Sequence, residues 1–366
     1  MTTGGTEERI DAVYSWVDGE DPSFLADCRR WIGPAQEPDA IAARRFRDNG
    51  ELRYSLRSIE RHAPWIDGIH FVTNGRMPEW LNTSHPRVSV VDHRQVFPDP
   101  AVLPVFNSCA IELNLHRIPG LSRRFLYLND DLFLGRDLSR GDYLVGDCAF
   151  RYYFEPNPLP MRSGTGPVHD RAYAYTSAVL NRLSKGRRVE TNRAAYVVPR
   201  RYKLAPPSVR RLLPPRRLLP AHVPQLYDRC VLEELERWLP VEFAATRAHR
   251  FRAADDLVLR ILYAFYLLEC EPAGCRLEPV LLDWESSDYQ FISLQVSPEG
   301  VEGAFARMAS LNPRFLCVND DLGDVFPDDP VLALWRRVLQ ARYPAPSSFE
   351  NVKSAGASLS ANASGA

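Results

Sequence analysis

Short apolar runs alternate with amphipathic stretches through the first third of the chain. Residues 51–64 carry Leu52, Leu56 and Ile59 at helical spacing, and a proline closes this segment. Apolar runs that stop at Asp-Gly, Asn-Gly or Asn-Asp indicate strands followed by loops. The predicted strands lie within 10–22, 69–75, 87–93 and 123–135. This alternation predicts an α/β fold with a Rossmann-like, mainly parallel sheet flanked by helices.

The rest of the chain has a different pattern. Residues 226–239 carry an apolar stripe, and 255–269 are apolar nearly all round, which predicts two helices and a helical C-terminal part. The predicted parts are an α/β part over 1–139, an irregular basic and aromatic insert over 140–220, a helical part over 221–345, and a disordered tail over 346–366.

Composition excludes several classes of protein. The 366 residues are 45% hydrophobic and 25% charged with net charge −1, so no overall field favours nucleic acid or a membrane surface. No stretch approaches the about 18–20 apolar residues that cross a bilayer. The N-terminus lacks a secretory pattern, and the seven cysteines show no CxxC spacing. These features predict a cytoplasmic protein with reduced thiols.

The tetrapeptide Asn-Asp-Asp-Leu ends an apolar run twice, at 129–132 and again at 319–322. Each copy alone is consistent with a turn, because Asn and Asp accept turn conformations. Adjacent carboxylates at the end of a strand are also the ligands that hard divalent cations prefer. In parallel sheets, ligands bind beyond the carboxyl ends of the strands. Asp130 and Asp131 are therefore candidate metal ligands, and Asp320 completes the site if the two loops meet.

Four segments in order resemble the conserved blocks of the Stealth family. This family includes bacterial capsular polysaccharide phosphotransferases, and the segments are also similar to the catalytic α/β subunit of the animal lysosomal-enzyme N-acetylglucosamine-1-phosphotransferase. The segments are IDAVYSWVDG, then NGELRYSLRSIERHAPWIDGIHFVTNGRMPEWLN running on to FLYLNDDLFLG, then PAHVPQLYDRCVLEELE to HRFRAADDL, and finally RFLCVNDDL. The resemblance implies a GT-A-like sheet with a divalent metal at its rim, Mg²⁺ or Mn²⁺.

The resemblance also implies a reaction. A hexose 1-phosphate, with N-acetylglucosamine as the expected hexose, moves from a UDP-sugar donor to a hydroxyl of a glycan or polysaccharide acceptor, and UMP leaves. His222 is the expected base or a phosphate ligand, Arg252 and Arg229 the expected phosphate ligands, and Asp256 an orienting group. The expected donor-binding residues are Asp11, Trp16, Asp18, Gly19, Arg53, Asn74 and Gly75.

Other interpretations remain open at this stage. A UDP-sugar glycosyltransferase that releases UDP has the same strand-end carboxylates, and a non-catalytic protein that binds sugar nucleotide or glycan needs no turnover. A nuclease or phosphatase has less support, because no His-Asp pair accompanies the carboxylates. The basic segment 200–217 is either a solvated loop or an acceptor site that includes Arg210, Arg211, Arg216 and Arg217. Nucleic acid is not expected as a partner, because no aromatic residues interleave with these charges.

Overall fold

A computed structural model describes most of the chain. The described residues are 8–34, 36–146, 149–161, 166–184, 193–197, 216–272, 275–283, 286–294, 297–323 and 329–351. Arg210 and Arg211 therefore lie outside the described residues. Within the described part of the chain, no helix is long and apolar enough to cross a membrane.

The described elements are thirteen strands and ten helices, apart from short 3₁₀ turns. The strands are β1 (Ile10–Ser15), β2 (Ile69–Thr73), β3 (Val88–Asp92), β4 (Arg124–Leu128), β5 (Leu132–Leu134), β6 (Leu144–Val145), β7 (Ala149–Pro158), β8 (Tyr196–Val197), β9 (Arg216–Pro220), β10 (Gln225–Asp228), β11 (Arg276–Leu281), β12 (Tyr289–Ser293) and β13 (Phe315–Asn319). The helices are α1 (Pro22–Trp31), α2 (Glu51–His62), α3 (His93–Val96), α4 (Ser108–Glu112), α5 (Val168–Leu183), α6 (Arg229–Trp238), α7 (Pro240–Ala248), α8 (Leu259–Cys270), α9 (Pro298–Leu311) and α10 (Pro330–Arg342).

The first sheet has the strand order β10-β4-β1-β2-β3. Its four strands from the first third of the chain are parallel, and β10 pairs with β4 in the antiparallel sense. Every residue of β2 and β4 is buried, as expected for a parallel sheet that is covered on both faces. The order 3-2-1-4 is that of a Rossmann-type half, so the predicted α/β fold with a mainly parallel sheet is confirmed.

A three-stranded sheet, β12-β13-β5, extends from the carboxyl edge of the first sheet. The strand β5 begins one residue after Asp131 and pairs antiparallel with β13, with Cys317 opposite Leu132. The backbone N–H of Val318 also donates to the carbonyl of Asp131 at 3.1 Å. Because β13 ends at Asn319, this pairing places the two Asn-Asp-Asp segments side by side.

The region 140–220 is more regular than predicted where it is described. The ten-residue strand β7 forms the centre of a second sheet, β11-β7-β9-β8, and α5 packs against α8. Both faces of β7 are covered at its centre, since Tyr152 and Phe154 are buried on one face and Tyr153 on the other. Both β10 and β11 pair with strands from earlier parts of the chain, so the sheets cross the predicted boundaries at 140 and 221. The part over 221–345 is not purely helical.

The ends of three segments also differ from the sequence-based expectation. The predicted helix from 226 begins at Arg229, because residues 225–228 form the edge strand β10. The helix predicted from 255 begins at Leu259. The predicted disordered tail is wrong over 346–351: Phe349 is fully buried, and Glu350 forms a two-bond ion pair with Arg57. Residues 352–366 lie outside the described residues.

Candidate active-site cleft

A cleft of about 710 Å³ opens at the carboxyl edge of the first sheet. Its walls come from the ends of β1, β4 and β13, the first residue of α2, the loop before β10 and the start of α8. The charged and polar side chains that line it include Arg45, Arg47, Glu51, Glu112, Asn129, Asp130, Asp131, His222, Arg252, Asp256, Arg260, Asn319, Asp320 and Asp321. The condition set for Asp320, that the two Asn-Asp-Asp loops meet, is fulfilled, since both line this cleft.

The first loop holds two buried carboxyl groups whose ionised forms the folded chain disfavours. Burial, reinforced by Glu51 and Asp131, raises the pKa of Asp130 well above its usual value. Burial raises the pKa of Asp131 to about 7. Among the described residues, Oδ1 of Asp131 is buried and accepts no hydrogen bond. An unpartnered carboxylate oxygen beside a second carboxylate fits a bound divalent cation, which would favour the ionised forms of both groups.

His222 lies directly above this loop. Because β10 runs antiparallel to β4, the loop that precedes β10 reaches the carboxyl end of β4. Nε2 of His222 lies 3.0 Å from the amide Nδ2 of Asn129 and 3.9 Å from Oδ1 of Asp131. Burial, together with the charges of Arg260 and Arg252, lowers the pKa of His222 to about 3. The imidazole is therefore neutral at pH 7, and the lone pair on its Nε2 accepts the N–H of Asn129.

Two arginines provide the positive charge on the opposite wall. Arg252 donates to the hydroxyl of Ser108 at 2.8 Å, and Arg260 donates to the hydroxyl of Tyr173. Burial raises the pKa of the neighbouring Glu112 to about 7, although both arginines oppose this shift. Arg260 was not among the residues predicted from the sequence. A lone arginine in the otherwise apolar first two turns of α8 was the available signal, because a charged residue within a largely buried helix needs a polar partner.

Asp256 shapes the loop before α8 and does not orient His222. Its carboxylate accepts hydrogen bonds from Nδ2 of Asn107 at 2.9 Å, Nδ1 of His249 at 2.8 Å and the backbone N–H of Ala253 at 2.8 Å. These three bonds fold the chain back over 249–256 and present Arg252 to the cleft. None of these three bonds reaches His222.

Asp320 lies in the cleft but is already paired. Nη1 of Arg47 donates to its Oδ2 at 2.7 Å, and both side chains are about nine-tenths buried. Among the described residues, Asp131, His222 and Cys317 form one group of potential metal ligands. The ligand atoms of these three residues all lie within 4.8 Å of one another. The predicted metal trio of Asp130, Asp131 and Asp320 therefore does not form such a group, because Arg47 holds the third carboxylate.

The predicted nucleotide cradle is only partly in the cleft. Trp16 lines it, yet only 4% of the residue is exposed, so the ring also belongs to the main core. Asp18 accepts the backbone N–H of Glu20 in the loop that follows and does not line the cleft. A Cβ on Gly19 would lie 1.7 Å from the carbonyl oxygen of Phe46. This glycine therefore allows the Phe46 segment, and not a nucleotide, to approach closely.

Asp11 and Arg229 lie at the opposite edge of the sheet. Asp11 is the second residue of β1, fully buried, and accepts the backbone N–H groups of Gly68 and Ser122 at 2.9 Å. Arg229 follows the end of β10, which the antiparallel pairing places beside Arg124 at the start of β4. The predicted cleft roles of these two residues are not supported, because strand direction puts them about a strand length from the carboxyl edge.

Arg53, Asn74 and Gly75 also lie outside the cleft lining. Arg53 stacks on the ring of Trp80 at 4.8 Å and is 3.6 Å from a carboxylate oxygen of Glu350. Asn74 and Gly75 follow β2 at the same edge as the cleft, but neither lines it. Gly75 has φ +95°, so its role at this strand end is to permit the turn.

Sequence comparison agrees with this arrangement of segments. Three conserved regions of Stealth proteins match the chain: conserved region 1 over 8–32, conserved region 2 over 45–150 and conserved region 3 over 221–269. Region 1 supplies β1 and Trp16, region 2 supplies α2 and the first Asn-Asp-Asp loop, and region 3 supplies His222 and the two cleft arginines. The chain belongs to the Stealth family.

Relatives with assigned names support the same placement. The chain is 36% identical over 346 residues to an exopolysaccharide phosphotransferase of Streptomyces coelicolor, covering 93% of this chain and 52% of that protein. It is 49% identical over 131 residues to the alpha/beta subunits of human N-acetylglucosamine-1-phosphotransferase, covering 35% of this chain and 10% of that protein. The chain thus spans about half the length of the bacterial relative.

A solved galactosyltransferase, LgtC in complex with donor and acceptor sugar analogues, has 11% sequence identity and a TM-score of 0.38, covering 91% of this chain and 96% of that one. At this score the likeness supports no conclusion about function.

Proposed function

We propose that this chain transfers a hexose 1-phosphate, with N-acetylglucosamine as the expected hexose, from a UDP-sugar to a hydroxyl of a glycan, and releases UMP. The observation that carries the proposal is one cleft that holds a neutral His222, two arginines and the buried carboxylates of the first Asn-Asp-Asp loop. The names of the relatives, exopolysaccharide phosphotransferase and N-acetylglucosamine-1-phosphotransferase, support the same class of reaction.

The charges of the cleft match the needs of attack on phosphorus. A pyrophosphate repels an incoming hydroxyl, and charge grows on the leaving phosphate as the bond breaks. Arg252 and Arg260 lie where they can bind phosphate oxygens, and a guanidinium can do so with two parallel hydrogen bonds. Binding of the donor also offsets the arginine charges that lower the pKa of His222, so donor binding makes this base stronger.

His222 is the group placed to accept the proton of the acceptor hydroxyl. Its side chain keeps 25% exposure and faces the cleft, whereas the carboxylate of Asp256 is bound by three donors. A positioned base of this kind contributes roughly 10²–10⁴-fold to rate. Asp130 and Asp131 would hold a divalent cation, Mg²⁺ or Mn²⁺. When bound, this cation would neutralise negative charge on the donor phosphates.

The decisive test identifies the nucleotide that is released. UDP-N-acetylglucosamine is incubated with the protein, Mg²⁺ or Mn²⁺ and a hydroxyl-rich glycan, and the products are separated by chromatography. We expect UMP, a loss of roughly 10²–10⁴-fold in His222→Gln, and a loss of turnover in Asp130→Asn. His85→Gln is the matched control, because His85 packs against Phe349 away from the cleft and should retain activity.

Two other outcomes would contradict the proposal. Release of UDP would mean attack at the sugar carbon, the reaction of a glycosyltransferase. Tight donor binding without turnover, with both acceptor and metal present, would favour a non-catalytic sugar-nucleotide-binding protein.

A further inference from the structure

Three potential metal ligands from distant parts of the chain converge beside the cleft: Asp131 and His222 line it, and Cys317 is fully buried behind them. Asp131 follows β4, His222 precedes β10, and Cys317 is the third residue of β13. Sγ of Cys317 lies 3.6 Å from Oδ2 of Asp131 and 3.6 Å from Nδ1 of His222. The proposed reaction uses the carboxylate and the imidazole of this group but gives the thiol no task.

These separations match the edges of a tetrahedral zinc site. Zinc binds sulfur at about 2.3 Å and nitrogen or oxygen at about 2.0–2.2 Å, which separates neighbouring ligands in a tetrahedron by about 3.5 Å. The ligand atoms of the third pair, Asp131 and His222, are also close, since all three ligand atoms lie within 4.8 Å of one another. No large movement of the backbone is therefore needed for a metal to bind all three.

The chemistry of this set differs from that of the carboxylate pair. Thiolate and imidazole select zinc and similar metals, whereas Mg²⁺ prefers oxygen ligands alone. Oδ1 of Asp131 is left without a hydrogen bond among the described residues, so this carboxylate is free to turn toward a metal. The open cleft leaves the fourth position for water.

We propose that Asp131, His222 and Cys317 form a binding site for a thiophilic divalent cation such as Zn²⁺, distinct in ligand set from the proposed Mg²⁺ or Mn²⁺ site and sharing Asp131 with it. Zinc displaces the thiol proton of Cys317 to solvent and binds Nδ1 of His222. The only remaining proton position on that ring, Nε2, then carries its N–H and donates to Asn129, whose amide turns to present its oxygen. The zinc-bound imidazole therefore has no lone pair to accept a proton. If the proposed function holds, zinc therefore inhibits the enzyme by occupying its base.

The binding claim is tested without any turnover. The full chain is stripped with a chelator and titrated with Co²⁺, which gives a thiolate-to-cobalt charge-transfer band only when sulfur is a ligand. We expect the band in the wild type, its removal by Zn²⁺ and its persistence in excess Mg²⁺. The Cys317→Ser protein should lose the band, and His222→Gln should bind Co²⁺ more than about tenfold more weakly, since even changes next to a metal ligand cost about 10–100-fold.

Cys28→Ser is the matched control, because Cys28 is also a buried free thiol but lies on α1. It should keep the band. A band that persists in Cys317→Ser, or a wild type without any band, would overturn the site. Thermal unfolding of each variant confirms that it is folded.

A second measurement separates this inference from the proposed function. Zn²⁺ should inhibit UMP release by the wild type and by Cys28→Ser, and the inhibition should be at least tenfold weaker in Cys317→Ser. A cobalt band without UMP release would leave the metal site standing and refute the proposed reaction. UMP release without a cobalt band would support the proposed reaction and refute the metal site. Equal zinc inhibition in Cys317→Ser and the wild type would refute the inhibitory role of the site.

Discussion

Replacing Arg217 should destabilise the fold and should not act mainly on an acceptor. The sequence placed Arg217 in a basic strip for acceptor binding, but its guanidinium forms a two-bond ion pair with Glu269 of α8. Nε and Nη2 each lie 2.7 Å from a carboxylate oxygen, and the two side chains are only 12% and 7% exposed. Tyr196 donates to the same carboxylate at 2.9 Å. The pair therefore joins β9 and β8 to α8.

The expected loss in the free energy of unfolding follows from the buried carboxylate of Glu269, which Arg217→Met leaves without its ion-pair partner. Two charge-assisted hydrogen bonds at about 1.5–3 kcal/mol each give about 3–6 kcal/mol. The measured range for removing one partner of a buried pair, about 3–5 kcal/mol, agrees with this estimate. Replacing both partners, in Arg217→Met with Glu269→Met, should recover most of the loss, because no buried charge is then left alone.

Urea unfolding with linear extrapolation measures these differences in the free energy of unfolding. Arg216→Met is the matched control, since among the described residues the neighbouring Arg216 makes one hydrogen bond, 3.2 Å to the carbonyl of Leu159. It should cost about 1 kcal/mol or less. The reasoning would be refuted if Arg217→Met were no more destabilising than Arg216→Met, or if the double variant were less stable than Arg217→Met alone.

Two further predictions concern the framework around the cleft. Gly19→Ala should destabilise the fold by about 1–3 kcal/mol in the same urea assay, because the new methyl group meets the backbone of Phe46. Gly33→Ala is the control: its methyl group meets nothing within 4 Å, so this variant should be neutral or slightly stabilising. Although burial opposes the shift, hydrogen bonds from His116, Arg247 and Arg117 hold the pKa of Glu236 well below its usual value. This carboxylate therefore stabilises the fold above its unfolded pKa of about 4.3 and loses the effect as pH falls. Glu236→Gln should be less stable than the wild type at pH 7, as measured by thermal unfolding. If the difference in stability between the two proteins did not become smaller by pH 3, this reasoning would be contradicted.

The local pattern of apolar residues was sufficient to predict much of the fold. The run IDAVYS and the run RFLYL predict strands because their β-rich apolar residues suit a sheet that is buried on both faces, and the structure has them as β1 and β4. The helical spacing of Leu52, Leu56 and Ile59 likewise places one apolar stripe on the core side of α2. The Asn-Asp-Asp loop after β4 could be predicted as part of a site, since parallel strands present their carboxyl ends at one edge.

Strand direction decided which predicted residues reach the cleft. His222 and Arg229 are seven positions apart in one segment, yet the antiparallel strand β10 between them separates them to opposite edges of the sheet. For the same reason Asp11, the second residue of β1, lies away from the cleft, while Trp16, which follows the end of β1, lines it. Periodicity predicts that a strand exists but not whether it runs with or against its neighbour.

Long-range pairing decided the rest of the site. Only the antiparallel pairing of β5 with β13, across more than 180 residues of chain, brings Cys317 against Asp131 and the second loop against the first. The ion pair between Arg47 and Asp320 likewise depends on this fold, and it removes Asp320 from the set of free carboxylates. The sequence by itself determined the local chemistry, the strand-end carboxylates and the α/β pattern, because these depend on neighbours in the chain. Only the tertiary structure decided which charges are paired and which remain free, because that depends on contacts between segments that no local pattern encodes.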